Sequence, residues 1–241
     1  MFFPALANKT NLGHLLRSLT RCFLVTLFLC LSNVPGFAQL IKEFGVKAGV
    51  SVSAFDSRFR SHDGAPEFNW EAKSDVGYAI EVWADILQKT HWDYAVAVSF
   101  DQRRGMFNTP APGAFSDSKH TFQYAGIINS LRGKIHVTPR LNLFGIGGLR
   151  IDQLLSHNQT NPAPFDFSYL ELKKIRLGFK AGIGVNYKIS ESGSLGFEAT
   201  RNINITKAIK DDNSAADRLP GFLFELNDRT YFFLIQYSRS F

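Results

Sequence analysis

One group of side chains in the sequence has the composition of a hydrolytic site. Ser118 and His120 lie two residues apart, with Asp101 or Asp117 as the candidate acid. A serine, a histidine and a carboxylate can serve as nucleophile, general base and orienting group for acyl transfer. Such a trio also arises by chance in segments rich in Ser and Asp. The sequence therefore predicts no catalytic site, and a lipid-modifying enzyme remains only as an alternative.

Two carboxylates flank a short polar turn and could hold a hard cation. Asp85 and Asp93 lie on either side of residues 88–91, where they can face each other. Lys89 in the same turn is a simpler neutralising group. Paired metal-ligand spacings and glycine-rich phosphate loops are absent from the sequence. We therefore predict neither a metal site nor a cofactor.

Most of the other charged residues share one pattern, because they alternate with apolar residues. The positions expected on the charged side are Lys47, Glu81, Asp85, Asp93, Asp101, Arg132, Lys134, Arg150, Asp152, Lys174, Arg176, Lys180, Lys188 and Glu198. Eight are positive and six are negative. In a narrow enclosed space these groups must form pairs, because an unpaired buried charge costs several kcal/mol.

The elements that position these charges are β-strands, since the alternation has a period of two residues. Eight segments follow it: 44–54, 76–86, 92–101, 122–137, 141–152, 174–189, 194–202 and 229–241. In the fifth segment Phe144 and Ile146 are out of phase, and glycines crowd 145–148. Glycine inside a strand often marks a bulge, so a bulge or tight bend is expected there.

The connections between the segments alternate in length. Three of them are short turns, at 88–91, 138–140 and 190–193. The four others run to roughly twenty residues, near 55–74, 102–120, 153–173 and 203–228. This pattern predicts an up-and-down sheet with short turns at one end, where both termini also lie, and long loops at the other.

The N-terminal 38 residues have the features of a cleaved secretory signal. They contain three basic and no acidic residues, and Cys22–Leu31 is too short an apolar block to span a bilayer. Gly36 and Ala38 supply the small residues that signal peptidase requires. We predict a signal peptide at 1–38 and a barrel domain at 39–241, which contains no cysteine.

Eight such strands can close into a soluble lipocalin-like barrel or a membrane barrel. A membrane barrel turns its apolar face toward lipid and its polar face inward. The split in connection lengths favours the membrane form, as do aromatic residues near the ends of the apolar face: Tyr78, Trp92, Tyr94, Tyr187, Tyr231 and Tyr237. The sequence thus predicts an all-β, eight-stranded antiparallel transmembrane barrel in the outer membrane of a Gram-negative bacterium, in contact with outer-membrane lipid.

Three segments carry a family resemblance. The Gly-x-Lys-x-Gly run in 44–53, the Gly-Ile-Gly-Gly run at 145–148 and the segment 180–185 resemble the PorT-like outer-membrane β-barrel proteins. The resemblance implies secretion-system components or barrels of unassigned role. The ending, with Tyr237 and Phe241, resembles the signal read by the barrel assembly machinery, although Arg239 departs from it.

An eight-stranded barrel is just wide enough for its own side chains, so no open pore is expected. Glu81 on the second strand and Lys180 on the sixth should lie at similar depth on facing walls. We therefore expect these two side chains to meet directly or through one neighbour. A proton relay is the functional alternative to structural charge pairs.

Apolar residues are frequent in the expected external loops. They are Phe59, Phe68, Trp70, Met106, Phe107, Phe115, Phe165, Phe167, Tyr169, Leu219, Phe222 and Phe224. Either they pack into a cap, which we favour, or they present a patch to an extracellular protein partner. Without the signal the charge is only +3, so nucleic acid is not an expected partner. We expect a monomeric structural, adhesion or secretion-accessory protein.

Overall fold

The computed structural model describes residues 41–61, 68–111, 114–160, 172–206 and 222–241. Within these ranges it does not describe the side chains of residues 56–61, 68–72, 107–111, 114–118 and 222–227. The predicted signal at 1–38 lies outside the described residues. The described residues contain no helix that is long and apolar enough to cross a bilayer.

The described chain consists of strands joined in sequence order. The strands are β1 Glu43–Ser61, β2 Phe68–Gln88, β3 Trp92–Ala111, β4 Ala114–His136, β5 Leu141–Thr160, β6 Ile175–Lys188, β7 Gly193–Asn204 and β8 Phe222–Ser240. Each strand pairs antiparallel with the next, and β8 pairs with β1 to close the barrel. The predicted fold class is confirmed.

The pleat of each strand separates apolar from charged side chains. Val46, Ile80 and Phe179 point outward, with 44%, 46% and 38% of their surface exposed. Lys47 and Lys180, their neighbours in sequence, are only 3% and 1% exposed. This is the arrangement of a barrel whose solvent is hydrocarbon, and it excludes the soluble lipocalin-like alternative.

The strands are longer than the sequence pattern indicates. β3 and β4 remain paired as far as Ala111 and Ala114, so the expected loop at 102–120 is mostly a β-hairpin. β1 and β2 likewise pair as far as Phe59 and Phe68, through the expected loop at 55–74. Beyond the lipid the outward face no longer has to be apolar. The alternation therefore fades while backbone pairing continues.

The bulge expected at 145–148 is absent, and that prediction was wrong. β5 pairs without interruption with β4 from Asn142 to Leu154 and with β6 from Leu141 to Gln153. Phe144 and Ile146 are both 6% exposed and simply point into the lumen. A Cβ at Gly184, on the neighbouring strand, would overlap the Phe144 ring, so the glycine makes room for it. The irregularity in β5 lies instead opposite Gln123 and Tyr124.

The apolar side chains assigned to a loop cap lie outside the described side chains, apart from Met106. Met106 is on β3, where it pairs with Lys119. The choice between a cap and a binding patch therefore stays a prediction.

The lipid-facing surface can be tested with two isoleucines at different depths on one side of the barrel. Ile183, in the middle of β6, is 70% exposed, and Ile189, just past its short-turn end, is 52% exposed. Ile183→Arg should lower the free energy of unfolding by about 2–4 kcal/mol, and Ile189→Arg by about 0–1 kcal/mol. Urea unfolding in phospholipid vesicles measures both values. Equal losses would contradict a hydrocarbon layer centred near Ile183.

Candidate functional site in the barrel lumen

The lumen contains three groups of ion pairs, of which the lower cluster lies nearest the short turns. It consists of Asp85 on β2, Asp93 on β3, and Arg132 and Lys134 on β4. Arg132 donates to Asp85, and Lys134 Nζ lies 2.7 Å from Asp93 Oδ1. Arg132 also lies 3.8 Å from Asp93. The two acids flank the turn as expected, but Arg132 and Lys134 neutralise them rather than Lys89.

The middle ring joins four strands through Lys47, Glu81, Lys180 and Glu198. Lys180 Nζ lies 2.9 Å from Glu81 and 2.7 Å from Glu198. Lys47 Nζ lies 2.6 Å from Glu198 and 3.6 Å from Glu81. The structure thus brings together the two residues expected on facing walls. Positive and negative charges alternate around the ring, so each charge has opposite charges on both sides.

The upper cluster holds three arginines and three aspartates. Arg103 alone binds all three acids, at 2.7 Å from Asp101, 2.5 Å from Asp152 and 2.8 Å from Asp228. Arg150 donates to Asp101 and Asp152, and Arg176 donates to Asp228. These residues are at most 4% exposed. The charges of the cluster therefore cancel.

Aromatic rings stack on the guanidinium groups and fill the space between clusters. Arg132 lies over Trp83 at 4.2 Å, Arg103 over Tyr124 at 4.3 Å, and Arg150 over Phe232 at 5.2 Å from the ring centroids. Such contacts are attractive and strengthen when water is excluded. The lumen is therefore packed by charges and rings together.

Most of the predicted charged positions lie in these three groups, with two exceptions. Lys174 and Lys188 were predicted to face inward and are exposed at the two ends of β6. Arg103 and Asp228 were missed, because they fell in segments assigned to loops. Continuing the alternation of β3 and β8 by a single step would have placed both of them in the lumen.

Above the upper cluster, at the external end, two histidines stack with a phenylalanine. His120 Nδ1 lies 3.0 Å from His157 Nε2, and the Phe122 and His157 rings are 4.5 Å apart. The outward neighbours Thr121 and Gln123 are polar, so this level is beyond the lipid. Burial, and then the His157 ring, lower the pKa of His120 to about 4. Burial also lowers the pKa of His157.

At the opposite end, a cavity of about 560 Å³ is lined by the short turns and the lower cluster. Its charged walls include Glu43, Lys89, Lys188 and Glu191. Asp93, Arg132 and Lys134 of the lower cluster form its inner wall together with Phe144. Water entering from the short-turn side therefore meets ion pairs rather than a channel.

The contacts of the buried charges favour a structural role for them over a catalytic or metal-binding one. The acids named in the three groups already hold arginine or lysine partners, which leaves little capacity for a metal ion. His120 is bonded to His157, and Asp101 to Arg103 and Arg150. The side chain of Ser118 is not described. The candidate hydrolytic trio thus has two members engaged elsewhere.

Comparison with known families identifies the class of protein. A family model described as an outer membrane protein beta-barrel domain matches residues 37–210, well over half of the chain. The chain belongs to this family. It is therefore an outer-membrane protein of a Gram-negative bacterium, and the match does not distinguish the PorT-like group within that class. Among curated proteins, no sequence matches the chain.

Several solved barrels are similar in structure. Neisserial surface protein A is 14% identical with a TM-score of 0.44, and covers 82% of this chain and 97% of its own. The Ail protein of Yersinia pestis is 12% identical, with a TM-score of 0.31 and coverages of 82% and 99%. The outer membrane protease OmpT of Escherichia coli is 7% identical, with a TM-score of 0.39 and coverages of 83% and 97%. Likenesses at this level carry no inference about function.

Removing one charge from the middle ring should destabilise the barrel more than removing one positive and one negative charge together. Lys180→Met leaves Glu81 and Glu198 with Lys47 alone, and should cost about 3–5 kcal/mol of unfolding free energy. Adding Glu198→Gln restores the charge balance and should recover most of that loss. Urea unfolding in vesicles provides the measurement.

Lys188→Met is the matched control, since Lys188 is exposed at the end of the same strand. Its effect should stay within about 0.5 kcal/mol. If the Lys180→Met barrel is as stable as this control, the middle ring does not contribute to the free energy of unfolding.

The histidine stack predicts a pH dependence of stability. His120 stays neutral in the folded barrel down to about pH 4, whereas the unfolded chain takes up a proton below about 6.5. Stability should therefore fall as the pH drops from about 6.5 to 4, by up to roughly 1.4 kcal/mol per pH unit from this group.

His120→Gln should make the stability of the barrel less dependent on pH in this window. The midpoints of urea unfolding at each pH provide the measurement. His91→Gln, in an exposed short turn, serves as the control. Identical pH profiles for His120→Gln and the parent chain would contradict the assignment.

Proposed function

We propose that the protein is a non-enzymatic outer-membrane barrel that closes its own lumen and presents its external hairpins to a protein partner. It would act in adhesion or as an accessory protein of a secretion system. The observation that carries the proposal is the filled interior: the lower cluster, middle ring and upper cluster succeed one another along the barrel axis.

A filled interior argues against solute transport. Eight strands enclose a space that side chains can occupy fully. Here Trp83, Phe232 and Leu234, at most 2% exposed, share that space with the ion pairs. Moving ions or solutes through it would require breaking buried pairs, each at a cost of several kcal/mol. The interior is therefore better suited to rigidity than to passage.

The external extensions are the parts available for recognition. The lipid-facing apolar positions of β3 end near Phe100, yet the strand continues to Ala111 in register with β4. A paired hairpin of this length holds its residues in a fixed geometry, unlike a flexible loop. A rigid support of this kind lowers the entropy cost of binding a partner.

The secretion-accessory role is also supported by the resemblance of 44–53, 145–148 and 180–185 to the PorT-like proteins. In contrast, the enzymatic alternative requires a free carboxylate to orient the histidine that acts as general base. Asp101, one of the two candidate acids, is neutralised by Arg103 and Arg150.

The two ends of the chain support a proposal about assembly and oligomeric state. Phe241 stacks on Phe44 at 5.4 Å, and its backbone N–H donates to the Lys42 carbonyl at 3.2 Å. Tyr237 points outward between Val46 and Leu195. We infer that the barrel assembly machinery reads Tyr237 and Phe241 on the exposed surface. Since β1 and β8 pair with each other, a monomer satisfies its own strand edges.

The test shortens one hairpin without disturbing the barrel. Phe107 and Ser118 are paired, so replacing residues 108–117 by Asn-Gly should retain the register with a tight turn. In intact cells of the native bacterium, cross-linking should capture a protein with the parent chain and lose it with the shortened one. Heat-modifiable migration should persist in both.

Glu191→Ala, in an exposed short turn, should leave the capture unchanged. Three outcomes would overturn the proposal: capture that survives shortening, steady ion conductance of the reconstituted parent chain, or altered lipid A acylation in a Ser118→Ala strain.

A further inference from the structure

The short-turn end of the barrel exposes many more basic than acidic side chains. Among the described residues at this end, Glu191 is the only exposed acid. The exposed lysines and arginines there are Lys42, Lys89, Arg140, Lys188 and Arg239. Short turns of an outer-membrane barrel face the periplasm. The periplasmic mouth of the barrel therefore has an excess of positive surface charge.

Two of these basic residues line the cavity of about 560 Å³ at this end. Lys89 lies in the turn between β2 and β3, and Lys188 is the last residue of β6. In a closed barrel of eight strands the second strand faces the sixth, so the two lysines lie on opposite sides of the mouth. Within the described part of the chain, neither of them forms an ion pair. Both ammonium groups are therefore available to a ligand.

Further donors lie deeper in the same cavity. Lys134 Nζ donates one hydrogen bond, to Asp93 Oδ1, which leaves two of its three donors unused. Arg132 in the inner wall is only 5% exposed, and its Nε has no hydrogen-bond partner among the described residues. Positive groups with spare donors therefore continue from the exposed rim to the buried inner wall.

The cavity wall is held in place by hydrogen bonds and is rich in neutral polar groups. The His136 ring lies 2.6 Å from Asn142 Oδ1 and 2.8 Å from the Thr90 carbonyl, and so ties the first short turn to β4 and β5. Other amide and hydroxyl side chains in the lining are Gln88, Asn186, Ser192, Ser194 and Ser240. Amides donate and accept hydrogen bonds, as hydroxyls do, so they can pair with a peptide backbone.

We propose that this cavity binds an acidic, extended segment of a periplasmic protein. Carboxylates of the segment bind Lys89 and Lys188 at the mouth and Lys134 farther in, through charge-assisted hydrogen bonds. The neutral polar side chains of the wall bind its backbone. The cavity is as large as pockets that enclose ligands, which measure about 300–1,000 Å³. The segment ends at the lower cluster, so the lumen above it stays closed.

The positions of the cations favour a chain with several carboxylates over a small anion or a lipid. One phosphate or one carboxylate cannot contact lysines on opposite sides of the mouth at the same time. A phospholipid of the inner leaflet lies outside the wall, where it can meet Arg239 on the outward face of β8 but not the cavity. The site is at the opposite end from the external hairpins, so it does not depend on an external partner.

The experiment measures peptide binding to the refolded barrel in phosphatidylcholine nanodiscs, which leave both ends accessible. Fluorescence anisotropy follows fluorescein-labelled hexaglutamate and hexaglutamine. The parent chain should bind hexaglutamate at least about tenfold more tightly than hexaglutamine. Lys89→Gln/Lys188→Gln should weaken hexaglutamate binding by about tenfold, because hydrogen bonds between charged groups are lost. Both lysines are exposed, so the double variant should fold, which heat-modifiable migration verifies.

Lys42→Gln/Arg239→Gln is the matched control, because it removes two exposed charges from the same end and neither residue lines the cavity. It should bind hexaglutamate like the parent chain. The proposal would be overturned by any of five results: no binding to the parent, equal binding of hexaglutamine, equal weakening in the control, displacement of the peptide by an equal concentration of inorganic phosphate, or displacement by phosphatidylglycerol added to the bilayer.

Discussion

The structure depends on one constraint: the barrel wall has hydrocarbon on its outer side and a narrow space crowded with its own side chains on its inner side. A β-strand places successive side chains on opposite faces, so each strand must alternate between residues that tolerate lipid and residues that fit a crowded interior. Val46 beside Lys47, and Phe179 beside Lys180, show this alternation at single-residue resolution. Reversing the two faces would expose charges to lipid and bury a second apolar layer in a space too small for it.

The interior satisfies that constraint with ion pairs rather than with an apolar core. Each arginine or lysine in the middle ring and upper cluster has acidic partners on other strands, and the contacts tie β1 and β2 to β6 and β7, and β3 to β5 and β8. Such cross-links make the wall rigid and close the lumen. A closed and rigid wall leaves the external hairpins and the cavity at the short-turn end as the places where the protein can meet other molecules.

The sequence was sufficient to predict the number of strands, their faces and the meeting of Glu81 with Lys180, because all of these follow from a strict period of two. The sequence was less informative in the parts of each strand where outward and inward side chains no longer differ in polarity. Arg103 and Asp228 lie where the outward positions cease to be apolar, so they were assigned to loops. Phe144 was judged out of phase because an aromatic ring was expected on lipid, while Gly184 makes room for it in the lumen. The outward-facing Arg201 is an exception to the apolar face, and its guanidinium lies against the Tyr231 ring.

The most direct test of the central claim is the environment of individual wall positions in a lipid bilayer. Single cysteines at positions 46, 80, 98, 127, 179 and 235 can carry nitroxide labels, and paramagnetic resonance reports their collisions with oxygen and with a water-soluble nickel chelate. The structure predicts frequent collisions with oxygen and rare collisions with the chelate at all six positions, with labels on opposite walls separated by the full barrel. Labels that are shielded from both reagents and lie close together at a common centre would contradict it.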